Sequence, residues 1–101
     1  MKLTIIRSDG AVYKDGVSYS GLDLSSVPTD VHALQWYGTE GEVEFNGRPK
    51  PQNEPITVLP DWANVCLTKW DEVKAAEEAA IAAAKAYAAA NQPKTDGTQT
   101  A

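Results

Sequence analysis

The segment Val31-His32-Ala33-Leu34-Gln35-Trp36-Tyr37-Gly38-Thr39-Glu40-Gly41-Glu42-Val43-Glu44-Phe45 decides the fold. With Gly38-Thr39-Glu40-Gly41 as a four-residue loop, Tyr37 pairs with Glu42, Trp36 with Val43, Gln35 with Glu44 and Leu34 with Phe45. Period-two alternation then gathers Leu34, Trp36, Val43 and Phe45 on one face and Gln35, Tyr37, Glu42 and Glu44 on the other. A one-residue slip would bury two glutamates, so loop length and patterning support each other in predicting an antiparallel hairpin with a dry and a wet side. By the same alternation His32 falls on the face of Leu34 and Trp36. It reads as a structural histidine near the sheet rim, the alternative being a pH-sensitive or partner-contacting role.

Upstream, Leu3 to Arg7, Ala11 to Lys14 and Val17 to Tyr19 are short strand-like runs separated by Asp9-Gly10 and Asp15-Gly16. An Asp-Gly pair between apolar runs favours a hairpin turn, because a type I′ turn needs positive φ at both central positions. Residues 1–48 therefore read as an antiparallel β meander of about five strands in all. The stretch 21–28 is a connection that pins a few apolar side chains on the sheet, with Pro28 holding Val27 out of helical conformation.

Downstream, residues 49–60 carry four prolines. This Pro-rich connector cannot form a helix or a central strand and should run extended before Ile56-Thr57-Val58-Leu59 lies against the sheet. Pro60-Asp61 opens a helix, with Asp61 as N-cap or first-turn acid. At ~100° per residue, Trp62, Ala63, Cys66, Leu67, Trp70 and Val73 share one arc, which docks on the sheet. From Ala75 to Ala90, eleven of sixteen residues are alanine. Intrinsic propensity and pairs such as Asp71 with Lys74 and Lys74 with Glu78 hold that half helical to Asn91. Residues 92–101 read as a flexible tail. The fold class is α+β: a small antiparallel sheet packed by a long Ala-rich C-terminal helix, all one domain.

A helix over 61–91 would extend ~46 Å, against a body of this size only roughly 34 Å across. Its last turns should overhang. A thin, Ala-lined overhang suits close contact with a second helix, including one from a second copy of the chain, or with a partner protein. The alternative is an exposed helix that touches nothing.

Composition narrows the function. The chain has 101 residues, 43% hydrophobic and 23% charged, with 9 basic against 14 acidic residues and a net charge of -5. Counterion release on a phosphate backbone cannot then be the main source of affinity, so nucleic acid is not an expected partner. One cysteine and one histidine exclude a disulfide framework and a Cys/His zinc site. Cys66 reads as a buried inert thiol. The apolar run at residues 3–6 is too short for a secretory signal, and the Ala79–Ala90 stretch is too short to span a bilayer. The expected location is the cytoplasm, with no membrane partner.

Catalytic parts are missing: the single His32 has no neighbouring nucleophile in the pattern, and no cofactor motif is present. Glu42 and Glu44 on one strand lack the third oxygen ligand that a cation site needs, and Gly38-Thr39-Glu40-Gly41 lacks the spacing of a phosphate loop. The aromatic residues are more informative. Trp36, Trp62 and Trp70 could all meet in one core, or one of them could stay partly uncovered and anchor a partner with Tyr37 and Tyr87. The candidate partner-binding residues are Tyr37, Trp36, Trp70, Ile81 and Tyr87, with no catalytic, cofactor or metal site.

One resemblance adds to this. The run Gly16-Val17-Ser18-Tyr19, Leu22-Asp23-Leu24, Val27-Pro28, then 31–37 and 41–45, resembles small proteins encoded beside the tail-fibre genes of tailed bacteriophages and prophages. Arg48-Pro49, Asn53-Glu54, Ile56-Thr57 and Leu59-Pro60-Asp61-Trp62-Ala63 continue the likeness to about residue 74. The resemblance implies a tail-fibre assembly protein or chaperone, in the host cytoplasm, helping a phage tail-fibre protein to fold, trimerise or attach. A permanent structural subunit of the virion is the second implication. The Ala-rich stretch is too generic to carry the likeness, and no catalytic residue transfers.

Overall fold

The computed structural model describes residues 1–91; the expected flexible tail, 92–101, lies outside the described residues. Six strands, β1 (Leu3–Ile6), β2 (Ala11–Lys14), β3 (Val17–Tyr19), β4 (Val31–Trp36), β5 (Gly41–Phe45) and β6 (Glu54–Ile56), precede one helix, α1 (Asp61–Asn91). All strand pairs are antiparallel, in the order β3-β2-β1-β4-β5-β6. Two three-stranded meanders thus meet at the central β1–β4 pair, and the fold is α+β.

Local chemistry explains the β2–β3 turn, whereas the β1–β2 connection takes four residues, Arg7 to Gly10, with Gly10 but not Asp9 at positive φ. Asp15 and Gly16 both take positive φ (48° and 87°), and Lys14 pairs with Val17 across them, as a two-residue primed turn requires. The sixth strand departs from the sequence expectation of about five. Part of the Pro-rich connector pairs with β5, Pro55 opposite Glu42. Proline is tolerated there because β6 is an edge strand, where a missing ladder donor faces solvent.

The β4–β5 hairpin also departs from expectation. Leu34 pairs with Val43, Gln35 with Glu42 and Trp36 with Gly41, two residues away from the register read in the sequence. The Tyr37 N–H donates to the Glu40 carbonyl (2.8 Å), so the connection shrinks to Gly38-Thr39. Gly41 is what admits this: a Cβ there would sit 2.1 Å from the Gln35 carbonyl oxygen. A two-residue shift preserves parity, so the dry face keeps Leu34, Trp36 and Val43.

The face of His32 is a correction. Val31 pairs with Phe45 and Ala33 with Glu44, leaving His32 as the extra residue of a β-bulge. The bulge rotates Val31 into the core and leaves His32 exposed, which avoids burying an imidazole among aliphatic side chains.

The core joins Leu3, Ile5, Val12, Val31, Leu34, Trp36 and Val43 of the sheet to Leu24 and Val27 of the β3–β4 connection and to Ala63, Cys66 and Trp70 of α1. Those three helical residues follow i, i+3, i+7 spacing, one stripe of the helix. The amides of Ala63 and Asn64 donate to the Pro60 carbonyl, so Asp61 stands in the first turn, where a carboxylate complements the macrodipole. Asn91 closes the other end, its side-chain amide donating to the Tyr87 carbonyl (2.8 Å).

Candidate interaction surface

Packing divides α1 into two halves. Through Val73 and Lys74 the helix is tied to the sheet: the Trp70 Nε1–H donates to the Val17 carbonyl (3.0 Å), and Lys14 pairs with Asp71 (3.3 Å). The last tether is the Tyr19 hydroxyl, which donates to Glu77 (3.1 Å). Beyond it α1 runs on for about 20 Å at ~1.5 Å per residue. Every residue from Ala75 to Asn91 is exposed. The molecule measures 71 × 25 × 19 Å, a dimension no compact body of this length would reach.

The five candidate partner residues separate. Tyr37 (54% exposed), Ile81 (49%) and Tyr87 (71%) stand in solvent. Trp36 (7%) and Trp70 (4%) belong to the core and offer no contact surface, a correction to the expectation for both. Trp70 is enclosed by the Tyr19 ring, 5.6 Å between centroids, and by the Lys14 ammonium, 4.8 Å from its own ring. Trp62 packs half-buried against the same cluster. Tyr37 lies at the β4–β5 turn and lines a cavity with Glu40, Gly41, Glu42, Asn53 and Pro55; Ile81 and Tyr87 belong to the overhang, so the three do not form one patch.

Sequence reasoning passed over the sheet face opposite α1. There Lys2, Thr4, Ile6, Tyr13, Asp15, Gly16 and Gln35 line a shallow cavity of about 440 Å³. The signal was present in β1 and β2, where Ile6 and Tyr13 put apolar groups on the wet parity as well. A polar ladder crosses this face: the Thr4 hydroxyl donates to the Gln35 Oε1 (2.7 Å), the Gln35 Nε2 donates to Glu44 (3.4 Å), and Lys50 lies 3.9 Å from Glu44.

Titration chemistry is local. Burial pushes the Cys66 thiol up, only partly offset by the Ser26 hydroxyl 3.7 Å from its sulfur. Partial burial and the bond to Glu77 raise the Tyr19 phenol, while the hydrogen bond and charge of Glu78 raise Lys74. Among the described residues, no group of three His, Cys, Asp or Glu side chains is placed to hold a metal ion, and no helix is long and apolar enough to cross a membrane.

No family model, curated protein or solved structure matches the chain. What the chain does must therefore be argued from its surfaces, and the uncovered half of α1 is the most distinctive of them.

Proposed function

We propose that the chain is a non-enzymatic assembly factor that binds a phage tail-fibre protein through the projecting half of α1. The observation that supports this is the helix from Glu78 to Asn91, which runs past the sheet and leaves Ile81 and Tyr87 in water. An acidic helper without a nucleotide site acts by masking apolar or strand-edge surface on its client until the client pairs with itself.

Charge pattern also favours pairing of two copies along this helix. Lys85 is the single charged residue between Ala79 and Asn91, and its i±3 and i±4 neighbours, Ile81, Ala82, Ala88 and Ala89, carry no acid. Glu78 lies seven residues earlier, on the same side of the helix. Two helices crossing antiparallel, centred between Ile81 and Ala82, set each Glu78 level with the other copy's Lys85. A parallel pair would set glutamate against glutamate.

Truncation after Lys74 leaves the β domain folded and abolishes client binding, read by co-purification with the neighbouring fibre protein and by the yield of soluble fibre trimer. Undiminished trimer yield with the truncated chain overturns the assembly role. Mass spectrometry of purified particles decides between a helper that departs and a subunit that stays: stoichiometric presence supports the subunit.

A further inference from the structure

A second feature lies at the end of the sheet where β4 begins and β5 ends, and no residue of α1 lines it. His32, Glu44, Phe45, Asn46, Arg48 and Lys50 line a shallow, open depression of about 440 Å³. Two backbone events build it. The bulge in β4 turns His32 out of the core face. The chain leaving β5 is then anchored at Asn46, whose N–H donates to the Asp30 carbonyl (2.8 Å) and whose side-chain amide donates to the Thr29 carbonyl (3.4 Å). Beyond that anchor the loop carries Arg48 and Lys50 back beside Glu44.

The charge of this corner is opposite to that of the rest of the chain. Its lining carries two permanent cations and one carboxylate. The Tyr37 cavity carries two carboxylates and no cation. The junction between α1 and β2 has three carboxylates against two lysines, and the open-face cavity one of each. Glu44 does not cancel the corner's cations. Its two oxygens are shared between Gln35 and Lys50, and at 3.9 Å the Lys50 contact is a loose surface pair. Among the described residues Arg48 enters no ion pair.

We propose that this corner binds an anionic oxo group, a carboxylate or a phosphate. Arg48 supplies a planar pair of N–H donors suited to two oxygens at once, Lys50 supplies a point charge, and His32 stands beside them as a further donor. The proposal is independent of the assembly role, since no residue of α1 takes part.

The test is a titration of the full chain with inorganic phosphate and, separately, with acetate, following backbone amides and the His32 ring by NMR against sodium chloride at equal ionic strength. Saturable shifts at Asn46 to Lys50 and at His32, absent with chloride, are the expected result. Saturation by phosphate alone identifies a phosphate site, and saturation by acetate identifies a carboxylate site; either supports the proposal. Arg48→Ala weakens binding about tenfold or more, as loss of a charge-assisted contact requires, whereas Glu44→Gln, which removes the competing anion and leaves the loop in place, tightens it. Shifts that chloride reproduces, or that survive Arg48→Ala with unchanged midpoint, overturn the site.

Discussion

Trp70→Ala is the most informative single perturbation of this fold, because Trp70 is the largest buried side chain that α1 sets against the sheet. Removing it deletes a buried aromatic body, the Nε1–H bond to Val17 and the cation–π contact from Lys14. Loss of the body alone costs about 3–5 kcal/mol, and the contact from Lys14, whose side chain is 26% exposed, adds about 1 kcal/mol. Domains of this size have roughly 5–15 kcal/mol of stability in total. Each kcal/mol moves the midpoint by about 4–8 °C, so the variant should melt at least 12 °C lower, followed by tryptophan fluorescence to report the core rather than the overhang. Trp70→Phe separates the components. It keeps an aromatic ring against Tyr19 and loses the indole donor, for a cost nearer 1–2 kcal/mol, since the Val17 carbonyl on edge strand β3 can be rehydrated. A melting temperature for Trp70→Ala within 2–3 °C of the parent, well under the size of shift one kcal/mol gives, would refute the assignment of Trp70 as the clamp.

Two further outcomes follow from the packing. Gly41→Ala places a methyl group against the Gln35 carbonyl, so the β4–β5 hairpin must lose stability or change register; amide hydrogen exchange across residues 33–44 should accelerate, and protection equal to the parent's would contradict the close approach. The Cys66 thiol, fully buried and pushed up by desolvation, should resist a thiol reagent at pH 8 in the native chain and react fully in denaturant; rapid native labelling would place it at the surface.

Particular residues show how far the sequence could be read. His32 and Val31 exchange faces because β4 holds one extra residue, and a bulge leaves no mark on alternation until the partner strand is known. Sequence pattern leaves Trp36 and Trp70 open to a place in the core, with partner contact as the alternative. Only the joint position of β1, β3 and α1 covers them, while Tyr37 and Tyr87, aromatic as well, remain outside. The cavity beside Arg48 had no local signature: it needs the His32 bulge and the Asn46 anchor together.

The sequence by itself determined the elements: Asp15-Gly16 as a tight turn, alternating strands, a helix from Asp61, and an overhang that follows from 31 helical residues outrunning a small body. Those are consequences of near-neighbour sterics, side-chain period and length, all of which act along the chain. The tertiary structure alone decided the β1–β4 junction, the hairpin register, the recruitment of β6 and the choice of which tryptophans are covered. Each depends on contacts between distant segments. A two-residue shift or a new edge strand leaves local pattern untouched, and only packing and backbone approach, such as that at Gly41, distinguish one arrangement from the next.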